Sequence, residues 1–373
     1  MNFKEFSLDS KVQAGITACG YTQPTPVQEK TIPAVLQGQD VLGLAQTGTG
    51  KTAAFVLPIL QHLLQEKRGK VRSLVLSPTR ELAEQTLEFV QALGKHTGLR
   101  GVSVYGGVSK FKQVQKIRSG VEIVVACPGR LLDILNDRAL NLSCVQSLVL
   151  DEADRMLDMG FMPDIRSILK LLPQKRQNML FSATMPKDIK SLAAEILNSP
   201  VQIQIDHQQS LQSIEQCLYP VQGMPKTEML LSLLQAQEAQ ATLVFTRTKH
   251  MATKLAKQLS ASGFRARDLQ GNMSQNDRRQ VLQGFKKGCF NVLVATDVAS
   301  RGLDVSRITH VINFDMPDTP EAYTHRIGRT GRAASSGVAS TFVETKDQGL
   351  VKVIERSQAR RIQRKSLARR KVA

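Results

Sequence analysis

Short apolar runs recur along the chain, and each is followed by a polar or amphipathic stretch long enough for a helix. Uninterrupted apolar runs of strand length are typical of strands that are buried on both faces. In the first part of the chain these runs are VLGLA, SLVLSP, GVSVYGG, EIVVACP, SLVLDEAD, NMLFSAT and VQIQI. Their alternation with helical stretches predicts an α/β fold, in which a mainly parallel sheet carries helices on both faces.

A second series of the same kind follows, formed by EQCLYPV, ATLVFTRT, RARDLQG, NVLVATD, THVINFDMP and VASTFVE. Between the two series, residues 206–213 (DHQQSLQS) lose apolar content, which predicts a linker. We therefore expect one domain over residues 1–205 and a second over residues 214–355, with LVKVIERS as a closing helix. Residues 356–373 have too few apolar side chains to pack, and we expect a disordered basic tail.

Length and composition agree with a two-domain cytoplasmic protein. At 373 residues the chain is long for one core, and no apolar run approaches the length of a membrane span. The N-terminus lacks the apolar segment of a secretory signal, so we expect no membrane association. The cysteines lack the spacing of zinc sites or disulfide frameworks, which fits a reducing compartment. They are Cys19, Cys127, Cys144, Cys217 and Cys289.

The chain carries a formal net charge of +18, which an enzyme acting only on small molecules does not need. A polyanion is therefore the expected partner. Part of this charge lies after Glu355, where the sequence has no acidic residue. The basic residues there are Arg356, Arg360, Arg361, Arg364, Lys365, Arg369, Arg370 and Lys371.

The loop AQTGTGKT at residues 45–52 lies between an expected buried strand and an expected helix. In such a loop, Gly48 and Gly50 let backbone N–H groups turn towards phosphate oxygens, while Lys51 neutralises charge and Thr52 reaches Mg²⁺. Ala45 stands where the generic phosphate-loop pattern has its first glycine. The alternative is a Gly-rich turn without a ligand.

An acidic tetrad, residues 151–154 (DEAD), directly follows the apolar run SLVL. A carboxylate at the end of a strand near a phosphate loop can hold the metal through water, and this is the role expected of Asp151. Glu152 can then orient the attacking water. Taken alone, the tetrad is equally compatible with a solvated turn.

The second series lacks a phosphate loop but contains HRIGRTGR at residues 325–332. Its arginines recur at every third position, so they lie near one face of a helix or turn and suit contact with phosphate or carboxylate. A basic turn without function is the alternative. If these arginines reach a nucleotide that the first domain holds, the two domains close on ATP and open on product.

Taken together, these motifs show that the sequence resembles the DEAD-box ATP-dependent RNA helicases, and the resemblance extends from residue 3 to about residue 344. The resemblance implies two tandem RecA-like domains, ATP and Mg²⁺ as cofactors, and RNA as partner. Within the family, RMLDMGF, LVFTRTKH and HRIGRTGRAA are most similar to the bacterial RhlE subgroup.

The resemblance assigns the nucleotide contacts. The segment GYTQPTPVQ at residues 20–28 is similar to the Q motif, in which Gln28 reads the adenine edge and Tyr21 packs near the base. Phe3 occupies the upstream aromatic position, although ordinary packing would also explain both aromatic residues. The remaining expected nucleotide contacts are Ala45, Gln46, Thr47, Gly48, Thr49, Gly50, Lys51, Thr52 and, at the ribose, Asp304.

The same resemblance assigns catalysis and coupling. Arg329 and Arg332 match the arginines that stabilise transition-state charge at the γ-phosphate, beside Lys51, Asp151 and Glu152. The SAT motif at residues 182–184 is expected to bond to Asp154 and to couple hydrolysis to strand separation. The residues expected in this coupling are Asp154, Ser182, Thr184, Arg301 and His325.

RNA contacts follow from the segments PTRELA, GG, PGR, VFTRT and VATDVASRGLD. The residues carried over are Pro78, Thr79, Arg80, Gly107, Arg130, Thr246, Gln275, Arg278 and Thr296. They would bind the backbone of a single strand or a duplex end, without reading bases. Two positions depart from the family pattern. Cys127 stands where Thr is usual and is a poor donor to phosphate, and Gln270 stands where His is frequent.

The expected function is RNA-stimulated ATP hydrolysis coupled to local, non-processive unwinding of short duplexes or remodelling of ribonucleoproteins. An ATP-gated RNA clamp with little turnover and a DNA translocase are the rival hypotheses. We expect a monomer, with proteins of ribosome assembly or RNA decay as candidate partners.

Overall fold

The fold is described from a computed structural model of residues 2–45, 48–204, 214–236, 241–300, 305, 307–331 and 336–367. The chain divides into two compact units, Met1–Asp206 and His207–Ala373. The expected linker, residues 206–213, lies outside the described residues. Among the described residues, no helix has both the length and the apolar composition needed to cross a bilayer.

The first unit is built on a seven-stranded sheet with the order β3-β4-β2-β5-β6-β1-β7, in which every described pair is parallel. The strands are β1 (Val41–Leu44), β2 (Ser73–Leu76), β3 (Gly101–Val104), β4 (Ile123–Ala126), β5 (Ser147–Leu150), β6 (Gln177–Ser182) and β7 (Val201–Gln204). The helices are α1 (Ser10–Ala18), α2 (Pro26–Leu36), α3 (Lys51–Leu64), α4 (Arg80–Leu93), α5 (Lys110–Arg118), α6 (Pro128–Asn136), α7 (Ala153–Asp158), α8 (Met162–Leu169) and α9 (Lys187–Ile196).

Alternate side chains of each strand enter different cores, as the period of a strand requires. In β2, Val75 packs into a core shared with helices α1 to α4, whereas Leu74 and Leu76 pack into a core shared with helices α5 to α9. The predicted sheet with helices on both faces is therefore confirmed. All seven predicted strands of the first unit are present.

The second unit repeats this plan, with the sheet order β10-β11-β9-β12-β13-β8-β14 and parallel described pairs. Its strands are β8 (Ile214–Pro220), β9 (Ala241–Phe245), β10 (Ala266–Leu269), β11 (Val292–Ala295), β12 (Ile308–Asn313), β13 (Gly337–Val343) and β14 (Gln363–Arg364). Its helices are α10 (Lys226–Ala236), α11 (Lys249–Ala261), α12 (Gln275–Lys287), α13 (Asp297–Ser300), α14 (Pro320–Ile327) and α15 (Gln348–Ser357).

The C-terminal segment differs from the prediction of a disordered tail that starts at residue 356. The closing helix α15 ends at Ser357, and the chain then returns to add β14 beside β8. Ile362 is buried, and Leu367 packs against the core between the sheet and its helices. The prediction is thus wrong for residues 356–367, because two well-spaced apolar residues and main-chain pairing suffice to hold a short edge strand. Residues 368–373 lie outside the described part.

Candidate functional site

The phosphate loop joins the end of β1 to the start of α3. Gly48 and Gly50 have φ values of 89° and 94°, in the left-handed region that favours glycine. Lys51 is buried, and its Nζ donates a hydrogen bond to the Ala45 carbonyl oxygen 2.8 Å away, across the loop. The loop therefore places an ammonium group at the N-terminus of a fourteen-residue helix, a site suited to anions. Gln46 and Thr47 lie outside the described residues.

Gln28 in α2 braces this loop. Its Nε2 donates to the Gly50 carbonyl oxygen at 3.1 Å, and its Oε1 accepts from the Thr25 backbone N–H at 3.0 Å. A Cβ atom at Gly50 would lie 2.7 Å from the Gln28 amide nitrogen, so only glycine allows this approach. The contact with the loop was not anticipated from sequence, which predicted adenine contact alone.

The two aromatic residues of the expected base site lie against each other. The Phe3 and Tyr21 rings stack, with centroids 6.1 Å apart and planes 25° from parallel. Phe3 is buried in the core, whereas Tyr21 is half-buried at its margin. Phe3 is thus placed to support the ring of Tyr21, and only Tyr21 has a partly accessible face.

The acidic tetrad lies beside the phosphate loop because β6 alone separates β5 from β1 in the sheet. Asp151 follows β5 and is buried, and its Oδ1 has no hydrogen-bond partner within the described residues. Burial raises the pKa of Asp151 to about 6, against the opposing positive charge of Lys51. A buried carboxylate oxygen without a partner fits a hydrated Mg²⁺, which prefers oxygen ligands and keeps several waters.

Glu152 is held in an unusual backbone conformation. Its φ of 54° and ψ of 53° are left-handed, which is uncommon for a non-glycine residue and is found at functional sites. Its carboxylate is buried, and Oε2 accepts a hydrogen bond from Arg155 Nη1 at 2.6 Å. Both charges of this ion pair are almost fully removed from solvent.

Asp154 connects the tetrad to the segment after β6. Its Oδ2 accepts hydrogen bonds from the Ala183 N–H at 3.1 Å, the Thr184 N–H at 2.8 Å and the Thr184 hydroxyl at 3.0 Å. The Ser182 hydroxyl accepts from the Asp154 N–H at 3.3 Å and donates to the Thr184 carbonyl. The expected contact between the tetrad and the SAT segment is therefore present in this structure.

Three loops of the first unit bring their expected RNA-contact residues together. Thr79 caps α4, with Pro78 before it and Arg80 as the first helical residue. Gly107 has a φ of 81°, and a Cβ atom there would lie 2.2 Å from Arg80 Nη1. Arg130 Nη1 donates to the Val108 carbonyl at 3.0 Å, which connects α6 to the same glycine loop. Guanidinium groups and open backbone are thus clustered, as phosphate binding requires.

In the second unit, Arg326 binds Asp297 with two hydrogen bonds, from Nε to Oδ1 at 2.7 Å and from Nη2 to Oδ2 at 2.6 Å. Its guanidinium also lies over the Phe245 ring. This bidentate pair fixes the last turn of α14 to the segment after β11. Arg329 is buried just after that helix, and His325 is half-buried in α14. Arg301, Asp304 and Arg332 lie outside the described residues.

Other expected RNA-contact residues of the second unit lie at the carboxyl ends of neighbouring strands. Thr246 follows β9, and Thr296 follows β11, which pairs with it. Arg278 Nη2 donates to the Ala299 carbonyl at 3.1 Å, so α12 is fixed to the segment that contains Thr296. Gln275 is the first residue of the same helix.

Two known families match the chain, DEAD/DEAH box helicase over residues 25–192 and Helicase conserved C-terminal domain over residues 225–334. The ATP-dependent RNA helicase CshA of Listeria monocytogenes is 45% identical over 362 residues, which cover 97% of this chain and 69% of that protein. The chain belongs to the DEAD-box family of ATP-dependent RNA helicases. CshA of Streptococcus pneumoniae is 44% identical over 356 residues, which cover 95% of this helicase and 68% of the relative.

Solved helicase structures share the fold. Saccharomyces cerevisiae Dbp5 bound to RNA and ADP BeF3 matches with a TM-score of 0.88 and 29% identity, over 98% of this chain and 95% of that chain. A DEAD-box protein from Methanococcus jannaschii matches with a TM-score of 0.60 and 36% identity, over 98% and 99% of the two chains. The predicted family, tandem RecA-like fold and enzyme class are confirmed. The RhlE subgroup and the individual residue roles stay predictions.

Sequence reasoning missed two charged contacts of the helicase. The Arg155 pair with Glu152 could have been suspected from the i, i+3 spacing of opposite charges, which places them on one face of a helix. The Arg326 pair with Asp297 joins residues far apart in sequence. The first arginine of HRIGRTGR therefore binds a carboxylate of its own unit.

The two residues that depart from the family pattern, Cys127 and Gln270, lie in different local environments. Cys127 occupies the N-cap of α6 without a side-chain cap, and burial raises the pKa of its thiol to about 12. The group is therefore a neutral thiol at all physiological pH values. Gln270 accepts a hydrogen bond through Oε1 from the Asn272 N–H at 2.7 Å and shapes a local turn.

Proposed function

We propose that this DEAD-box helicase couples RNA-stimulated ATP hydrolysis to local, non-processive unwinding of short duplexes. The observation that carries the proposal is the network around Asp154. It joins the acids beside the phosphate loop to the segment after β6 through four hydrogen bonds. A change at the hydrolytic acids therefore has a direct route to the SAT segment.

The nucleotide is proposed to bind with its phosphates on the loop between β1 and α3. Lys51 and the backbone N–H groups around Gly48 and Gly50 would bind the phosphate oxygens. Thr52 and Asp151 would hold Mg²⁺, Asp151 through water. When bound, the metal would neutralise charge that develops on the phosphates.

Glu152 is proposed to orient the attacking water. Phosphoryl transfer depends mainly on positioning and charge stabilisation, so a carboxylate held in one place is more effective than a mobile one. The buried Glu152 meets this requirement. Arg329 and Arg332 are assigned to transition-state charge from their motif alone.

RNA is proposed to bind by its backbone. The similar Dbp5 structure holds RNA together with ADP BeF3. In this chain, a net charge of +18 and the clustered Arg80, Gly107 and Arg130 support the same partner. The residues proposed on the second unit are Thr246, Gln275, Arg278 and Thr296.

The substitution Glu152→Gln tests the assignment. It preserves shape and removes the carboxylate charge, so we expect binding of ATP and RNA within about threefold of wild type. RNA-stimulated phosphate release should fall by at least about 100-fold. Glu88→Gln, at an exposed position on α4, is the matched control and should leave turnover unchanged. Normal turnover in Glu152→Gln would remove the water-orienting role.

The rival hypotheses differ in the stimulation of turnover. The clamp is not favoured, because the similar bacterial relatives are named ATP-dependent RNA helicases. A helicase of the proposed kind should release phosphate faster with single-stranded RNA than with DNA of equal length and sequence. Equal stimulation by both would favour the DNA translocase. RNA binding without stimulation would favour the clamp.

We predict that the protein is a cytoplasmic monomer and that it works with proteins of ribosome assembly or RNA decay. Crosslinking of bound RNA in living cells would identify the substrate.

A further inference from the structure

Arg155 makes contacts that connect two acids of the tetrad. Its guanidinium donates to Glu152 Oε2 at 2.6 Å, and its backbone N–H donates to Asp154 Oδ1 at 3.0 Å. The side chains of Arg155 and Glu152 are only 7% and 5% exposed. Few ion pairs are buried to this degree, because desolvation costs several kcal/mol for each ion.

The alternatives to a functional role are a surface ion pair of little energetic value and a buried pair kept only for stability. An exposed i, i+3 pair would contribute little, and a buried pair kept only for stability could be replaced by apolar residues. Glu152, however, has a left-handed backbone, which is held only where the surroundings enforce it. A strained residue whose buried carboxylate is held by a buried arginine indicates a group whose orientation matters.

We propose that Arg155 is the positioning residue of the Glu152 carboxylate, and that it holds this buried group in one rotamer for the attacking water. The inference rests on the role proposed above for Glu152. Without the guanidinium, the carboxylate would lose the hydrogen bond that fixes Oε2. The carboxylate could then rotate, and this change would reduce its ability to orient water.

Steady-state kinetics of the full chain test this role, with saturating RNA and varied ATP. Arg155→Met keeps much of the length of the side chain and removes its charge. We expect kcat to fall about 10- to 100-fold, as for other losses of positioning. KM for ATP and the affinity for a non-hydrolysable ATP analogue should stay within about twofold, since Arg155 is not assigned a nucleotide contact. Arg155→Lys restores the charge and should recover kcat to within about fivefold of wild type.

Arg166→Met is the matched control. Arg166 lies on the neighbouring helix α8, where its side chain is 53% exposed and its Nε lies 3.7 Å from Glu195 Oε2. The same change in charge at this position should leave kcat unchanged. Wild-type kcat in Arg155→Met would overturn the inference. So would a loss of nucleotide affinity equal to the loss of kcat, together with no recovery in Arg155→Lys, because that pattern indicates a structural role only.

Glu152→Gln in the same assay separates this inference from the proposed function. Normal turnover in Glu152→Gln would remove the water-orienting role of Glu152, whatever kcat Arg155→Met shows. A dead Glu152→Gln with a normal Arg155→Met removes only the inference.

Thermal unfolding of the double variant supplies a second readout. Each single change leaves one ion of the buried pair without the other, whereas Glu152→Gln with Arg155→Met removes both ions. The double variant should therefore unfold at a higher temperature than the sum of the single effects predicts. Additive effects would show that the pair does not form in solution.

Discussion

The side-chain amide nitrogen of Gln28 donates a hydrogen bond to the main-chain carbonyl of Gly50, 3.1 Å away. Gly50 is the residue from which α3 begins, and it lies next to Lys51. Gln28 therefore connects the helix of the expected adenine site to the turn of the expected phosphate site. Its position suits this residue to two tasks, the predicted contact with the base and the observed support of the loop.

Gln28→Ala should weaken binding of the phosphates as well as the base. Loss of one hydrogen bond of about 1–1.5 kcal/mol corresponds to roughly a tenfold loss of affinity. We expect this loss for ATP and a smaller loss for inorganic tripolyphosphate, both measured by calorimetry. Gln37→Ala, exposed at the end of the same helix, is the control. Unchanged binding of tripolyphosphate would limit Gln28 to the base.

Sequence reasoning found the features that repeat or that carry a motif. Strands buried on both faces have an unmistakable apolar run, as in β2 and β5, and the loop at residues 45–52 has a spacing that chemistry dictates. Contacts between distant segments leave no such pattern. Two such contacts depend on tertiary packing. One is the pair of Arg326 and Asp297, and the other is the return of residues 358–367 to β8. A basic segment with two apolar residues is therefore easily predicted to be disordered.

Asp151→Asn should stabilise the protein in the absence of metal. Because the folded pKa of about 6 lies above the unfolded value of about 3.9, the charged form disfavours folding. This cost develops as pH rises from about 4 to about 6 and is complete above that range, where it reaches at most about 3 kcal/mol. Unfolding temperatures in EDTA at pH 4 to 8 should show a gain for Asp151→Asn only at the higher pH values.

Asp188→Asn, at an exposed position of the same unit, should show little change at any pH. A less stable Asp151→Asn at pH 8 would contradict the cost of the buried charge.

Thr184→Val should separate hydrolysis from unwinding. The substitution removes one of the three donors to Asp154 Oδ2 and leaves the two backbone donors in place. We expect RNA-stimulated phosphate release to stay within about threefold of wild type. Duplex unwinding should fall about tenfold, because this factor corresponds to the loss of one hydrogen bond to a charged group. Thr184→Ser keeps the hydroxyl and should unwind normally. An equal fall of both activities in Thr184→Val would place the network in hydrolysis itself.

Cys127→Thr should stabilise the first unit. The thiol gives the N-terminus of α6 no side-chain cap, whereas a threonine hydroxyl can accept from the N–H of the first turn. A cap of this type contributes about 1 kcal/mol. Chemical denaturation should show the gain in Cys127→Thr but not in Cys127→Ala, so that the comparison isolates the hydroxyl. Equal stabilities of the two variants would mean that the buried site does not allow the capping geometry.

Two truncations should separate the stabilising and the RNA-binding parts of the C-terminal segment. Deletion of residues 358–373 removes β14, the buried Ile362 and the ion pair between Lys365 and Glu215. Burial of Ile362 and Leu367 contributes about 2–4 kcal/mol, so this deletion should lower the unfolding temperature and expose β8 to hydrogen exchange. Deletion of residues 368–373 leaves β14 in place. It should preserve both the unfolding temperature and the protection of β8 from hydrogen exchange.

The shorter deletion removes only Arg369, Arg370 and Lys371 from the basic residues. If these side chains contact phosphates, the slope of log affinity against log salt should decrease by up to about 2 for single-stranded RNA. Because the fold is retained in this variant, the change in slope reports charge contacts alone. Identical slopes for the full chain and the shorter deletion would show that these three residues do not bind RNA. A loss of affinity confined to the longer deletion would then be a consequence of the lost edge strand.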